Sequence, residues 1–130
     1  MIFSVGVDTI EPERIKKTIA VYGDRFISRI FHADEIAYCK SSAKPAEHFA
    51  ARFAAKEAFS KALGTGIRSG FRWREVVIRR HFSGKPYIVL EGSMVQLAQT
   101  IIGNNYQIHL SLSHSKTNAE AIIVIETVPG

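Results

Sequence analysis

Two carboxylates and one amine stand out in this sequence. Asp8 closes an N-terminal run in which Phe3, Val5 and Val7 alternate with Ser4 and Gly6. Glu57 belongs to a series with Phe49, Phe53 and Lys61, spaced every four residues. On a helix such residues lie along one stripe. A carboxylate that continues a phenylalanine stripe is drawn at least partly into the packed face. Each acid has an ordinary explanation. Asp8 reads as a turn or helix-capping aspartate ahead of Pro12, and Glu57 as an i,i+4 ion pair with Lys61. Together they suggest other chemistry. Magnesium takes one or two protein carboxylates, keeps some waters and fills its remaining positions with substrate phosphates. Asp8 and Glu57 supply such a pair, and Lys61, one turn beyond, supplies a fixed cation for a pyrophosphate.

Gly64-Thr65-Gly66 follows this helical segment instead of opening one, so it lacks the helix N-terminus of a P-loop. Its glycines stop the helix and let a ligand approach the backbone. His109, Ser111 and Ser113 share one face of a strand, opposite Leu110 and Leu112, with His114 at the strand end. No G-x-S-x-G elbow accompanies them, so they do not form a hydrolase triad. Arg14, Lys16, Lys17, Arg25 and Arg29 gather near the N-terminus. They read either as solvated helix faces or as a docking surface for an acidic protein. The single cysteine, Cys39, excludes an internal disulfide and a cysteine-based zinc cage, and reads as structural.

The elements that must position these groups follow from periodicity. Residues 2–8 read as a strand whose apolar face, Phe3, Val5 and Val7, is buried. Pro12 suits the first turn of a helix with Ile15, Ile19 and Tyr22 as its stripe. A short helix follows, with Phe26 and Ile30 inward and Arg25 and Arg29 outward. Residues 33–40 form another short helix. The longest helix runs from about 46 to 63, rich in alanine, and Gly64 stops it. Residues 71–80 and 86–91 read as strands around the Ser83-Gly84-Lys85-Pro86 turn. Ser93 caps a helix with the stripe Met94, Leu97, Ala98, Ile101 and Ile102. Residues 106–113 and 120–127 close the fold as strands. The order β-α-α-α-α-β-β-α-β-β predicts an α+β fold, a mostly antiparallel sheet packed on the long helix.

The chain has 130 residues, the size of a single domain spanning residues 1–130. At 46% hydrophobic and 22% charged residues it has the balance of a globular chain and not of a disordered one. A body this small has room for one core but not for a deep private cleft, so a ligand site is expected at an edge or between subunits. No long apolar run suits a membrane span, and no basic-then-apolar leader opens the chain. The expected location is the cytoplasm, with no membrane partner. The net charge of +5 favours an acidic partner, phosphate groups or a nucleic acid.

The combination Gly6-Val-Asp8, Arg14-Ile15, Arg52-Phe-Ala-Ala-Lys56-Glu57-Ala58 and Lys61-Ala62-Leu63-Gly64-Thr65-Gly66 closely resembles the bacterial holo-[acyl-carrier-protein] synthases. These are the small type of 4′-phosphopantetheinyl transferase. Ser83-Gly-Lys-Pro86 and Ser111-Leu-Ser-His114 match later segments of that family in order, so the resemblance covers nearly the whole chain. It implies transfer of 4′-phosphopantetheine from coenzyme A, the co-substrate, to a serine of an acyl carrier protein, with release of 3′,5′-ADP. It implies that Asp8 and Glu57 bind Mg2+ and that Lys61 contacts the pyrophosphate of coenzyme A. Lys44, Arg52 and His114 fall where the family binds the nucleotide's 3′-phosphate or nearby groups. Lys85 and Pro86 fall at the adenine-side loop; Gly64, Thr65 and Gly66 are expected to bind the ligand because glycines there let it approach the backbone. For such a carrier, an acidic protein, the clustered basic residues Arg14, Lys17, Arg25 and Arg29 are the expected docking surface on the ground of their charge. Some relatives carry an acid directly after the histidine, where this chain has Ser115. The resemblance also implies a homotrimer with active sites between subunits. The general base stays open between Glu57, acting through a water, His114 and a metal-bound water.

Two other functions use different residues. A nucleic-acid-binding module would use Arg72, Trp73, Arg74, Arg79 and Arg80 as a basic stacking platform, although packing accounts for Trp73 more simply. A non-catalytic binder of coenzyme A or of a carrier would need the same pocket without turnover. The enzyme reading, with no nucleic acid, gives Asp8 and Glu57 a purpose that the first of these does not.

Overall fold

The structure is a computed structural model that describes residues 1–67 and 70–130. Its element order is the predicted one. A three-stranded antiparallel sheet runs in the order β1 (Ile2–Ile10), β5 (Ala119–Thr127), β4 (Tyr106–His114). In β5 the alternation is clear: Ala119, Ala121, Ile123 and Ile125 are buried, while Glu120 and Ile122 point away. The buried side packs on α4 (Pro45–Leu63). Six alanines of that helix, Ala50, Ala51, Ala54, Ala55, Ala58 and Ala62, are almost fully buried. Small side chains let strands and helices approach the α4 backbone from several sides.

The first strand faces the other way from the prediction. Phe3, Val5 and Val7 are exposed, and Gly6 is buried against α4. The cause is the closeness of the contact. A Cβ on Gly6 would stand 2.0 Å from the Ala58 carbonyl oxygen, so only glycine fits there. The small-residue face therefore seats on the helix. The valine face, joined by Ile122 opposite Val7, covers the outside of the sheet.

Helices α1 (Pro12–Tyr22), α2 (Asp24–Ile30) and α3 (Ala33–Ser41) wrap the N-terminal half of α4 around Ile15, Ile27, Ile30, Phe31, Cys39 and Phe49. Ile15 is buried as expected, but Tyr22 at the end of the stripe is exposed. Ile27 takes the inward place expected for Phe26, which is half-buried. Burial pushes the Cys39 thiol up to about 12, the state of a structural cysteine.

Strands β2 (Val76–Arg80) and β3 (Pro86–Leu90) form a separate antiparallel hairpin. The strand predicted from residue 71 starts only at Val76, because Trp73–Glu75 form a single 3-10 turn. The turn bends around a buried amine. Lys56 Nζ donates to the Trp73 carbonyl (2.9 Å), the Val76 carbonyl (2.8 Å) and Glu35 Oε1 (2.7 Å). Glu35 also accepts from the backbone N–H of Ile78 and His32. One buried pair thus ties α3, α4 and the hairpin together. Helix α5 (Ser93–Ile102) covers the remaining side through Met94 and Ala98. Ser93 does not cap it. Glu75 Oε1 accepts instead from Ser93 Oγ (2.8 Å) and the Met94 N–H (3.1 Å), so the cap comes from the 3-10 turn.

Candidate active site

Asp8, Glu57 and Lys61 meet where β1 crosses α4. Lys61 Nζ donates to Asp8 Oδ1 at 2.9 Å and to the Val7 carbonyl at 3.3 Å. The Lys61 amine is held above its ordinary pKa, first by that hydrogen bond to Asp8. Its ion pair joins two elements and does not run along the helix to Glu57. Asp8 is no helix cap either, since Glu11 occupies the start of α1 without a side-chain cap bond. Glu57 is held above the ordinary carboxyl value by burial and then by the negative charge of Asp8, with Lys61 opposing. Both ordinary explanations therefore fail, and the close approach at Gly6 is what brings the strand carboxylate beside the helix carboxylate.

The donor set suits a hard divalent cation. Two neighbouring carboxylates that repel one another offer oxygen ligands only. No group of three or more His, Cys, Asp or Glu side chains forms a closed metal cage among the described residues. A site with two protein ligands leaves room for water and phosphate oxygens, the habit of magnesium. Beyond Lys61 the chain turns at Gly64, in the left-handed conformation (φ 82°), and at Gly66 (φ 58°). Among the described residues, nothing lies within 4 Å of where a Cβ would stand at either glycine. Thr65 Oγ1 donates to the Gly66 carbonyl at 2.8 Å.

Arg52 and His114 meet elsewhere. They line a cavity of about 190 Å³ together with Tyr38, His48, Arg80 and Pro86. Arg52 and Glu57 are five residues apart on α4, which turns them roughly 140° from one another. Within one chain the carboxylate cluster and the arginine–histidine cavity therefore lie on different faces of α4. His114 has an acidic partner after all. Its Nδ1 donates to Glu47 Oε1 at 3.0 Å, and Glu47 also stands 3.9 Å from Lys44 Nζ. Glu47 lies 67 positions from His114 in sequence, so no local pattern announces it. The local signal is slight: Glu47 directly precedes His48, which lies one turn before Arg52 on α4. Lys44 is exposed at the start of α4 and Lys85 is exposed in the hairpin turn, so neither lines this cavity.

Arg14, Lys17, Arg25 and Arg29 are all exposed, and Arg25 and Arg29 flank a shallow groove with Tyr22 and Phe26. The alternative platform is not free to stack on bases. Trp73 lies parallel to Phe53 with centroids 5.2 Å apart, and Arg79 pairs with Asp34 and Glu91. Packing accounts for Trp73. Among the described residues no helix is long and apolar enough to cross a membrane.

This α+β fold sets two carboxylates and a lysine toward one end of a helix, and arginines and histidines along another face, groups whose chemistry suits a class of protein that handles polyanionic phosphate compounds. The model of the 4′-phosphopantetheinyl transferase superfamily matches residues 4–125. The holo-[acyl-carrier-protein] synthase of Koribacter versatilis is 44% identical over 126 residues, covering 97% of this chain and 99% of that one. That of Clostridium kluyveri is 46% identical over 126 residues, covering 97% and 91%. The crystal structure of the Neisseria meningitidis holo-[acyl-carrier-protein] synthase superposes with a TM-score of 0.89 at 32% identity, over 98% of this chain and all of that one (100%). The Bacillus anthracis synthase, solved in complex with CoA (3′,5′-ADP), gives a TM-score of 0.80 at 35% identity, over 98% and 99%. The chain belongs to this superfamily of transferases, and within it to the holo-[acyl-carrier-protein] synthases.

Proposed function

We propose that the chain transfers the 4′-phosphopantetheine group of coenzyme A to a serine of an apo acyl carrier protein, with Mg2+ held by Asp8 and Glu57. The observation that carries this reading is the cluster of Asp8, Glu57 and Lys61 at the β1–α4 crossing. Bound there, magnesium would neutralise pyrophosphate charge and hold it in line for displacement. Lys61 reaches the same position and steadies the charge that develops on the phosphates as adenosine 3′,5′-bisphosphate leaves. Glu57 and Asp8 fix the orientation of the pyrophosphate from opposite elements, a strand end and a helix. The open backbone at Gly64 and Gly66 lets the phosphates lie close to the chain. Arg52 and His114 hold the nucleotide end, with Pro86 and Lys85 at the base and Lys44 at the rim. Arg14, Lys17, Arg25 and Arg29 receive the acidic carrier, where complementary charge speeds and orients encounter.

The two halves of the site are completed between copies in a homotrimer. Two observations support this. The halves lie on different faces of α4, and the outer sheet face exposes Phe3 (41%), Val5 (57%), Val7 (56%) and Ile122 (46%) side by side. Contiguous exposed apolar surface of that kind marks an interaction site.

Release of adenosine 3′,5′-bisphosphate from coenzyme A, followed chromatographically, tests the reaction. It is expected only when apo carrier and magnesium are both present, and to fall by about a hundredfold or more in Asp8→Ala and Glu57→Ala. Release without a carrier, or unchanged release in either variant, would overturn the assignment.

A further inference from the structure

A second pocket, of about 520 Å³, opens between α1, the end of α3 and the start of α4, with Lys116 of the β4–β5 turn at its edge. Its size falls within the roughly 300–1,000 Å³ of small-molecule sites. Apart from Lys44 and Glu47 at its edge, none of its residues serves the proposed reaction. Pro12, Ile19, Ile27 and Phe49 form its floor, and all but the half-buried Ile19 are buried. Phe49 is the one aromatic side chain in the lining among the described residues, so a flat base has no pair of faces to lie between. Aliphatic walls of this kind suit an alkyl chain.

The rim carries the opposite character. Four lysines, Lys16, Lys40, Lys44 and Lys116, stand there against two carboxylates, Glu13 and Glu47. All four are exposed, and lysine stems lie along apolar walls while their amines stay in water. Lys40 stands 3.6 Å from Asp24 and Lys44 3.9 Å from Glu47, whereas Lys16 and Lys116 have no carboxylate partner among the described residues. Glu47 is further engaged by His114. Two helices also begin at this pocket. Helix α1 opens at Pro12 and α4 at Pro45, and neither start has a side-chain cap hydrogen bond. Uncapped helix starts direct N–H groups outward and favour negative charge. Glu13 and Glu47 lie in those first turns and offset part of this field. The lining includes no arginine among the described residues, so no planar fork is present to grip a phosphate at two points. Lysine point charges suit a single carboxylate.

We propose that this pocket is a binding site for a free fatty-acid anion, with the alkyl chain on Pro12, Ile19, Ile27 and Phe49 and the carboxylate at the lysine rim, where Lys16 and Lys116 are unpaired. The site is independent of the transfer reaction, so binding alone reads it. Isothermal titration of the full chain with dodecanoate, below its micellar concentration, is expected to give a single saturable site per chain. Affinity should fall about tenfold for each pair of carbons removed from the acid, as buried methylenes are lost. Dodecyltrimethylammonium, with the same tail and the opposite charge, should bind about tenfold more weakly or worse. Lys16→Gln combined with Lys116→Gln should weaken dodecanoate about fivefold. Ala43→Trp, at an exposed lining position, fills the mouth and should abolish binding. An unchanged Tm for these variants shows that they fold. Absence of saturable dodecanoate binding to the wild type would overturn the proposal. So would equal affinity for the cationic tail, or undiminished affinity in either the double lysine variant or Ala43→Trp. Capture by phosphatidylglycerol vesicles without binding of the free acid would also overturn it, in favour of a membrane surface.

Discussion

At the scale of single residues, the account turns on Glu57. Its carboxyl pKa is raised in the fold by burial and by Asp8. The folded state therefore keeps this proton at pH values where the unfolded chain has lost it. Stability then falls as pH rises from the ordinary carboxylate value through the raised one. Magnesium bound by the ionised pair, as proposed, would reverse the penalty, because it would bind only the fold. Thermal melts are expected to show a magnesium-induced rise in Tm above that window and none below it, and Glu57→Gln should abolish the pH dependence of the rise. A rise of equal size at every pH would mean that the ion binds elsewhere. Asp8, Glu57 and Lys61 were legible in the sequence because helical spacing sets two of them on one stripe and a strand end offers the third. The Glu47–His114 bond and the Tyr38 ring beneath Arg52 and Arg80 were not. Those contacts join residues remote in sequence, and their spacing carries no periodic signal.

At the scale of elements, one close contact and one buried ion pair hold the site in shape. Gly6→Ala puts a Cβ against the Ala58 carbonyl, so β1 must lift from α4. Overpacking of this kind is expected to cost about 1–3 kcal/mol or more, and activity should fall further than stability, because Asp8 moves with the strand. Wild-type turnover in Gly6→Ala would contradict the proposed geometry. Lys56→Met leaves Glu35 charged and buried, which is expected to cost about 3–5 kcal/mol in denaturant melts. Adding Glu35→Leu should recover much of that loss. The helices were legible from their apolar spacing and glycine stops, and the order of elements followed. The orientation of β1 was not. Alternation announces two faces, but which one is buried depends on what the partner can accept. A helix lined with Ala58 and Ala62 accepts glycine more closely than valine. The strand expected from residue 71 starts late because Trp73–Glu75 turn to bring the Trp73 carbonyl, with that of Val76, to the buried Lys56 amine.

At the scale of the whole molecule, the exposed apolar face of the sheet and the placement of the two clusters on different faces of α4 support the proposed trimer, in which neighbouring copies would complete each other. Glu57→Ala and His114→Ala variants are each expected to be nearly inactive alone. Refolded together, they should regain a substantial fraction of activity, since some interfaces then combine an intact carboxylate cluster with an intact cavity. No regain on mixing would place both halves of a working site within one chain. The central claim, transfer of phosphopantetheine through the Asp8–Glu57–Lys61 cluster, is tested most directly by intact-mass spectrometry. Apo acyl carrier protein is incubated with coenzyme A, magnesium and either the wild-type chain or Glu57→Ala. A mass gain of one phosphopantetheine group with the wild type, lost with chelator and with Glu57→Ala, is the predicted result. An equal gain with Glu57→Ala, or with magnesium removed, would contradict it.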